Sequence, residues 1–337
     1  MIVSDNNKEP RMPISFDYIR SVLVVCFLFC SSTIYASGIS EWLMRVETAP
    51  ERLSYTGSFL YEHDGEMESM RVVHRVRNNQ FKERLYSLTG SAREIIRDDN
   101  SVWCYIPDKQ VGVHEYRQSS RNTFLQIRGE QISKLDKYYS LELGELSRVA
   151  DRQARIISIM PRDDYRYGYE LWVDTETGLL LRSDLKDRSG ATIERYMFVE
   201  ISIGTEISDA ELEPMTDQNS LSWFGMDMPK SRSSDGESAM IWDSETLPAG
   251  FKLSYSVNRR SVMEDGLVEH HVYSDGLSSV SLFVKNRADG KTLTTGVSRM
   301  GAVSAYSTNV DGFDVTVVGE VPESTVSIIA TGVARIN

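Results

Sequence analysis

Cysteine and concentrated positive charge are both scarce in this sequence. The chain has three cysteines, of which Cys26 and Cys30 lie in an N-terminal segment with the features of an export signal. Removal of that segment leaves Cys104 alone, so the mature chain can form no internal disulfide. The formal net charge is −12 and the basic residues stand singly along the chain, which argues against nucleic acid as a partner.

Catalytic and metal-binding motifs are also lacking. The sequence contains no G-x-S-x-G, H-E-x-x-H or C-x-x-C motif and no phosphate-binding glycine loop. His270 and His271 are adjacent on a predicted strand, where neighbouring side chains point to opposite faces, so we do not expect them to share a metal. The chain is therefore predicted not to be an enzyme, and no catalytic residue, metal or cofactor is expected.

The apolar run near the N-terminus is short. Arg20 precedes the run Val22–Phe29, and small residues follow it up to Ala36. A run of this length is too short to span a bilayer comfortably, so residues 1–36 are predicted to be a signal peptide that is cleaved before Ser37. The product would be a soluble periplasmic protein. A retained membrane anchor and lipid attachment at Cys30 are the alternatives.

Residues 37–208 are predicted to form a mainly β domain. In Tyr55–Tyr61 and Met70–Val76, apolar and polar residues alternate with the period of a strand that has one dry face. Turn sequences such as His63-Asp64-Gly65 separate these short strands, which indicates an antiparallel meander. Later strands are predicted over residues 154–160, 167–173, 179–185 and 192–203.

Less regular segments accompany these strands. Residues 40–48 are predicted to form an amphipathic helix that packs through Trp42, Leu43 and Val46, and that Pro50 ends or kinks. Residues 118–137 fit no single period and are predicted to be loop and short helix across the open side of the sheet. Cys104, in an alternating strand, is predicted to be a buried small hydrophobe.

A break in composition at residues 209–238 indicates a linker. The segment contains two prolines and has seven acids against two bases, which is typical of a flexible, poorly buried stretch. Trp223, Phe224 and Met226 interrupt it and are predicted to attach it to a domain.

Residues 239–337 are predicted to form a smaller second domain. An antiparallel sheet covered by one helix is expected, and Pro322 should open that helix. The strands are predicted over residues 251–257, 268–273, 278–285, 293–300, 302–308 and 313–318. Val326, Ile329 and Val333 share one stripe of the helix, and we predict that this stripe contacts a protein partner.

Two stretches resemble a known family. Tyr55–Asp108, which contains YTGSFLYEHDGEMESMRVVHRV and SLTGSAREIIRDDNSVWCYIPD, is similar to the start of the MucB/RseB family. Met160–Gly204, beginning MPRDDYRYGYELWVD, is similar to a later part of it. The resemblance covers nearly the whole mature chain, and its specificity comes from the ordered series of segments. Members of this family are periplasmic negative regulators of the envelope-stress sigma factor.

The resemblance implies both a fold and a mode of action. The first domain would be similar to the lipoprotein carriers LolA and LolB, an unclosed barrel with helices across its mouth. The chain would bind the periplasmic domain of a single-span anti-sigma factor of the RseA/MucA kind and shield it from a site-1 protease. Lipopolysaccharide or mislocalised lipoprotein would release it. The resemblance places no catalytic residue.

A curled sheet with an apolar face can hold an acyl chain, because each methylene taken out of water contributes about 0.8 kcal/mol. Phe59, Tyr61, Met70 and Val72 share the apolar parity of the first two strands and are predicted to line such a lipid site. The alternative is that the face is filled by its own side chains.

Two functions therefore remain in view. The first is a regulator that binds a lipid and masks a partner, and the alternative is a periplasmic lipid or lipoprotein carrier. The linker and second domain favour the regulator, since a simple carrier needs only the half-barrel. Association of two copies of this chain into a homodimer is a further possibility.

Overall fold

The computed structural model describes residues 32–116, 132, 134–225, 241–260, 267–286 and 294–336. Most of the predicted signal peptide and most of residues 118–137 lie outside this part. The described residues form two mainly β units, called here the first domain (residues 32–225) and the second domain (residues 241–336). Among the described residues, no helix has the length and apolar character to cross a membrane.

The first domain is one large sheet. Its order is β12-β6-β5-β4-β3-β2-β1-β11-β10-β9-β8-β7, and the edge strands β12 and β7 do not pair with each other, so the sheet is unclosed. Its strands are β1 (Tyr55–His63), β2 (Glu66–Arg77), β3 (Gln80–Ser87), β4 (Glu94–Asp98), β5 (Ser101–Ile106), β6 (Val111–Tyr116), β7 (Tyr139–Val149), β8 (Arg152–Pro161), β9 (Gly168–Asp174), β10 (Leu180–Lys186), β11 (Thr192–Ile203) and β12 (Ser222–Gly225). All neighbouring pairs are antiparallel except β12 with β6. The predicted mainly β fold is confirmed.

A long helix, α1 (Ser32–Arg52), packs on the inner face of this sheet. Leu43 and Val46 are buried as predicted. The helix is longer than the predicted residues 40–48 and continues for two residues past Pro50, to Arg52.

Residues 205–225 correct the linker prediction. Instead of standing apart, they run along the outer face of the first sheet, where Ile207 and Leu212 bury against Val73. They end in β12, whose Trp223 packs edge-on against the Tyr105 ring. Trp223 thus attaches the segment to the first domain, as predicted. The rest of the predicted linker, including Met226, lies outside the described residues.

The second domain has a smaller antiparallel sheet of order β14-β15-β16-β19-β18-β17, covered by the helix α2 (Glu323–Thr331). Its strands are β14 (Lys252–Arg260), β15 (Leu267–Ser274), β16 (Ser279–Asn286), β17 (Gly296–Met300), β18 (Val303–Val310) and β19 (Phe313–Gly319). A separate short pair joins β13 (Trp242–Ser244) to β20 (Val333–Arg335). Val333 was predicted on the helix stripe, but the helix ends before it.

Candidate functional site

A cavity of about 320 Å³ opens on the inner face of the first sheet, beside the second domain. This volume is at the lower end of the range for small-molecule sites. Its apolar wall is made by Phe59, Met70, Leu85, Ile95, Leu185 and Tyr196. Its polar rim is made by Tyr61, Arg93, Tyr169, Ser183, Glu194, Arg195 and Glu320.

The register of the first strands explains why these side chains meet. Phe59 lies opposite Met70 on β2, and Tyr61 lies opposite Tyr196 on β11. Directly paired residues of antiparallel strands share a face, so the apolar parity of the sequence becomes one wall.

Three of the four predicted lipid-site residues, Phe59, Tyr61 and Met70, line the cavity. Val72 is on the same face but does not line it. Val72 lies opposite Gly57 and is packed into the sheet's apolar core, where 5% of it is exposed. Lipid binding by the other three stays a prediction.

The two domains contact each other at a junction. One side of this junction, called here the ion-pair end, is built around Arg166. Its Nη1 lies 2.6 Å from Oδ2 of Asp275 in the second domain, and both side chains are fully buried. Arg166 also donates from Nε to Asp163 at 2.9 Å and from Nη2 to the carbonyl oxygen of Ala249 at 2.6 Å. The Tyr139 hydroxyl donates to the same Asp275 oxygen at 2.7 Å. Every charge at this end therefore has an opposite charge or a strong donor.

Asp275 also organises its own turn. Its Oδ1 accepts hydrogen bonds from the amides of Leu277 and Ser278, while Oδ2 faces the first domain. Leu277 then inserts into the core beneath α1. Burial and the Asp275 carboxylate raise the pKa of Tyr139 well above its usual value, so the hydroxyl remains a donor.

The other side of the junction, the cavity end, brings carboxylates together. Glu194 accepts hydrogen bonds from the Ala302 amide at 2.9 Å and from the Tyr61 hydroxyl at 2.8 Å. Glu320 of the second domain accepts one from the Tyr169 hydroxyl at 3.3 Å. Desolvation and the charge of Glu194 raise the pKa of Glu320 to about 7. Solvent still reaches Glu320 at the mouth of the cavity, so the repulsion is screened.

The predicted partner-binding residues are not on the surface. Val326 and Ile329 are fully buried and Val333 is 5% exposed, all in the core of the second domain. The stripe was correctly recognised as apolar, but the domain's own sheet covers it. The assignment of a partner to these three side chains is therefore corrected.

The start of α2 faces the first domain. There the Ser324 and Thr325 hydroxyls donate to the carbonyl oxygens of Asp164 and Tyr165 at 2.9 and 2.6 Å. These bonds add the first turn of the helix to the junction.

A third charged cluster is structural. Glu83 contacts Arg97 at 2.7 Å and His74 at 2.9 Å, and the other His74 nitrogen contacts the carbonyl oxygen of Pro50 at 2.8 Å. Burial alone would raise the pKa of Glu83, but Arg97 and His74 lower it to about 2. This cluster fixes the end of α1 to the sheet.

The remaining sequence candidates are placed as follows. Cys104 is free and half-buried instead of fully buried, and burial raises its pKa, which disfavours the thiolate. His270 contacts Ser281 and His271 contacts Glu269, so the two histidines have separate partners. Within the described ranges, no group of three or more His, Cys, Asp and Glu side chains is arranged to hold a metal.

Sequence reasoning missed Arg166, Glu194, Asp275 and Glu320. Asp275 precedes Gly276, and an Asp-Gly pair indicates a turn but gives no sign of a partner in the other domain. The one available signal was a concentration of charge and aromatic residues at Asp163–Tyr169, where neither a strand nor a loop needs so many.

Comparisons with known proteins agree with this architecture. The family described as MucB/RseB N-terminal domain matches residues 38–216, and the family described as MucB/RseB C-terminal domain matches residues 236–334. The sigma factor AlgU regulatory protein MucB of Pseudomonas aeruginosa is 32% identical over 303 residues, which cover 88% of this chain and 91% of that protein.

Two solved complexes are similar over most of the chain. The Pseudomonas aeruginosa MucA/MucB complex includes a chain with 30% identity and a TM-score of 0.69, covering 89% of this chain and 99% of that one. A structure of MucB in complex with MucA(peri) includes a chain with 29% identity and a TM-score of 0.66, and the match covers 88% of this chain and 99% of that one.

Proposed function

The chain belongs to the MucB/RseB family, and on that premise we propose that it regulates a sigma factor by binding the periplasmic segment of a MucA-like anti-sigma factor. The observation that carries the proposal is the similarity, over 89% of the chain, to a relative solved together with MucA. The protein would act in the periplasm by occlusion, holding the segment away from a site-1 protease without any turnover.

Release of the partner would be controlled by a lipid. The cavity has an apolar wall in the first domain and takes Glu320 from the second domain into its rim. An acyl chain in the cavity would therefore touch both domains and favour one arrangement of them over another. Such a ligand shifts the population only by its differential affinity for the two arrangements. A tenfold change in partner affinity requires about 1.4 kcal/mol of coupling, and partner binding would weaken lipid binding by the same factor.

The test uses the full chain and a synthetic peptide of the periplasmic segment of the MucA-like protein from the same organism. Calorimetry should detect a complex, and the chain should slow cleavage of the peptide by a site-1 protease. Added lipopolysaccharide should weaken the complex and restore cleavage. Absence of a complex would refute the proposal, whereas a complex that lipid does not affect would remove only the release mechanism.

Two matched variants locate the lipid. Met70 and Val72 are both buried on the inner face, but only Met70 lines the cavity. Met70→Ala should weaken acyl binding more than Val72→Ala does, although both shorten a core side chain. Equal effects would mean that these residues are only core.

The carrier alternative predicts a different pattern. The cavity favours it, since a carrier also needs a site for an acyl chain. A carrier would bind acyl ligand but neither bind the anti-sigma segment nor protect it from the protease. The same calorimetric series therefore separates the two functions.

A further inference from the structure

The charges around the cavity are unevenly neutralised. Arg93 lies 3.1 Å from Glu68, and Arg195 lies 2.9 Å from Asp184 and 3.2 Å from Glu62. Both cations on the rim therefore already have carboxylate partners.

The two rim glutamates are different. In the described residues, Glu194 and Glu320 have no ion-pair partner and receive hydrogen bonds only from neutral donors. The rim thus carries uncompensated negative charge.

Each domain contributes one of these carboxylates to the same place. Glu194 lies on β11 and accepts from the amide of Ala302 in the second domain, while Glu320 follows β19 directly and accepts from Tyr169 in the first. The polar end of a chain seated in the cavity would lie at this rim, where both arginines are already paired with carboxylates and only the two glutamates carry charge without an ion-pair partner. The titratable and charged groups that face Glu320 are Tyr61, Arg93, Tyr167, Tyr169, Glu194 and Arg195.

We propose that Glu194 and Glu320 set the head-group specificity of the cavity, so that it accepts one acyl chain with an uncharged, esterified end and rejects a free fatty-acid carboxylate. This inference rests on the proposed lipid function and deepens it. A third negative charge beside the pair would be repelled by each of the two carboxylates. The volume of about 320 Å³ suits a single chain and is small for a whole multi-chain lipid.

The test compares two probes with the same chain and different ends, monolaurin and laurate, both kept below their critical micelle concentrations. Their affinities for the full chain are measured by displacement of a fluorescent fatty-acid analogue. At pH 8, above the pKa of Glu320 of about 7, monolaurin should bind about fivefold more tightly than laurate. At pH 6 the ratio should fall, because protonation of Glu320 removes part of the repulsion.

Two variants make the assignment specific. Glu320→Gln keeps the shape of the side chain and should lower the affinity ratio at pH 8 to about the value that the parent protein shows at pH 6, since Glu194 still repels laurate. Glu245→Gln removes an exposed carboxylate of the second domain away from the cavity and should leave the ratio as in the parent protein.

The outcomes separate this inference from the proposed function. Equal affinities in the parent protein, or a ratio that Glu320→Gln does not change, would overturn the specificity while leaving lipid binding intact. If neither probe binds the parent protein, the lipid part of the proposed function fails and this inference fails with it.

Discussion

The two ends of the domain junction use charge in opposite ways. At the ion-pair end, Arg166 and Asp275 are fully buried, 2.6 Å apart, and surrounded by further donors and acceptors. At the cavity end, Glu194 and Glu320 carry like charges beside about 320 Å³ of unfilled space. Opposite charges hold the domains together at the first end, whereas at the second end two like charges act against the hydrogen bonds that also cross there.

This asymmetry indicates how the domains would separate. A buried ion pair contributes little net stability, but removing one partner is costly because the other charge stays buried. A like-charged pair open to solvent is only weakly repulsive and is relieved by a small movement. We therefore expect the junction to open at the cavity end first, with the ion-pair end as the pivot.

The largest expected effect is at the ion-pair end. Arg166→Met leaves the buried Asp275 carboxylate without its cation and should lower the free energy of unfolding by about 3–5 kcal/mol, measured by urea denaturation. Arg148→Met is the matched control, since Arg148 pairs with Asp151 on the surface and its loss should cost about 1 kcal/mol or less. Similar losses in both variants would show that the buried pair does not hold the junction.

A smaller loss is expected from the donor beside that pair. Tyr139→Phe removes the hydroxyl that donates to Asp275 at 2.7 Å and should lower the free energy of unfolding by about 1.5 kcal/mol, the lower end of the range for a hydrogen bond to a charged group. Tyr138→Phe, on the adjacent residue whose ring lies 5.0 Å from the Arg166 guanidinium carbon, serves as the control. An equal loss in the free energy of unfolding of Tyr138→Phe would point to altered ring packing instead of the hydrogen bond.

The sequence was sufficient for the parts of the fold that local pattern decides. The strand Thr192–Ile203 was predicted at its observed bounds, and the first hairpins have the predicted parity. Both follow from a two-residue period between clear turns. The parity fails at Leu179, Leu180 and Leu181, all of which are buried, so no single dry face can be read there.

The junction could not be predicted in the same way. Arg166 and Asp275 are 109 positions apart, and Tyr169 and Glu320 are 151 apart. No periodicity records which distant turns come together. The apolar stripe of α2 illustrates the same limit, because a pattern shows that a face is covered but not whether a partner or the domain's own sheet covers it. β7 was missed because Gly144 and charged residues interrupt its alternation.

The cavity end should make stability depend on pH. The folded-state pKa of Glu320, about 7, is above its usual value of 4.5. Between these two pH values the Glu320 carboxyl is protonated in the folded state and ionised in the unfolded state. Its contribution is therefore fully present below about pH 4.5 and is lost as the pH rises through about 7. Because solvent screens this side chain, we expect about 1 kcal/mol.

The measurement is the free energy of unfolding at pH 5 and pH 8 for the parent protein and for Glu320→Gln. The difference between the two proteins isolates this carboxyl from all other titrating groups. The parent protein should lose about 1 kcal/mol more than the variant between the two pH values. Parallel curves would mean that the pKa of Glu320 is not raised in the folded state.

The smallest expected effect is the change in stability caused by adding one methyl group at the cavity end. Gly301 and Gly312 both lie in turns of the second domain with positive φ, +60° and +85°, so alanine should strain the backbone of either by about 1 kcal/mol. A Cβ on Gly301 would lie 2.8 Å from Oε1 of Glu194, whereas one on Gly312 meets nothing within 4 Å. Gly301→Ala should therefore be less stable than Gly312→Ala, by only about 0.5 kcal/mol because the Glu194 carboxylate can move aside.

That movement would turn the Glu194 carboxylate away from the Ala302 amide, so proteolysis between the domains should be faster in Gly301→Ala. Equal rates in the two variants would contradict the view that the cavity end is the part of the junction that opens first.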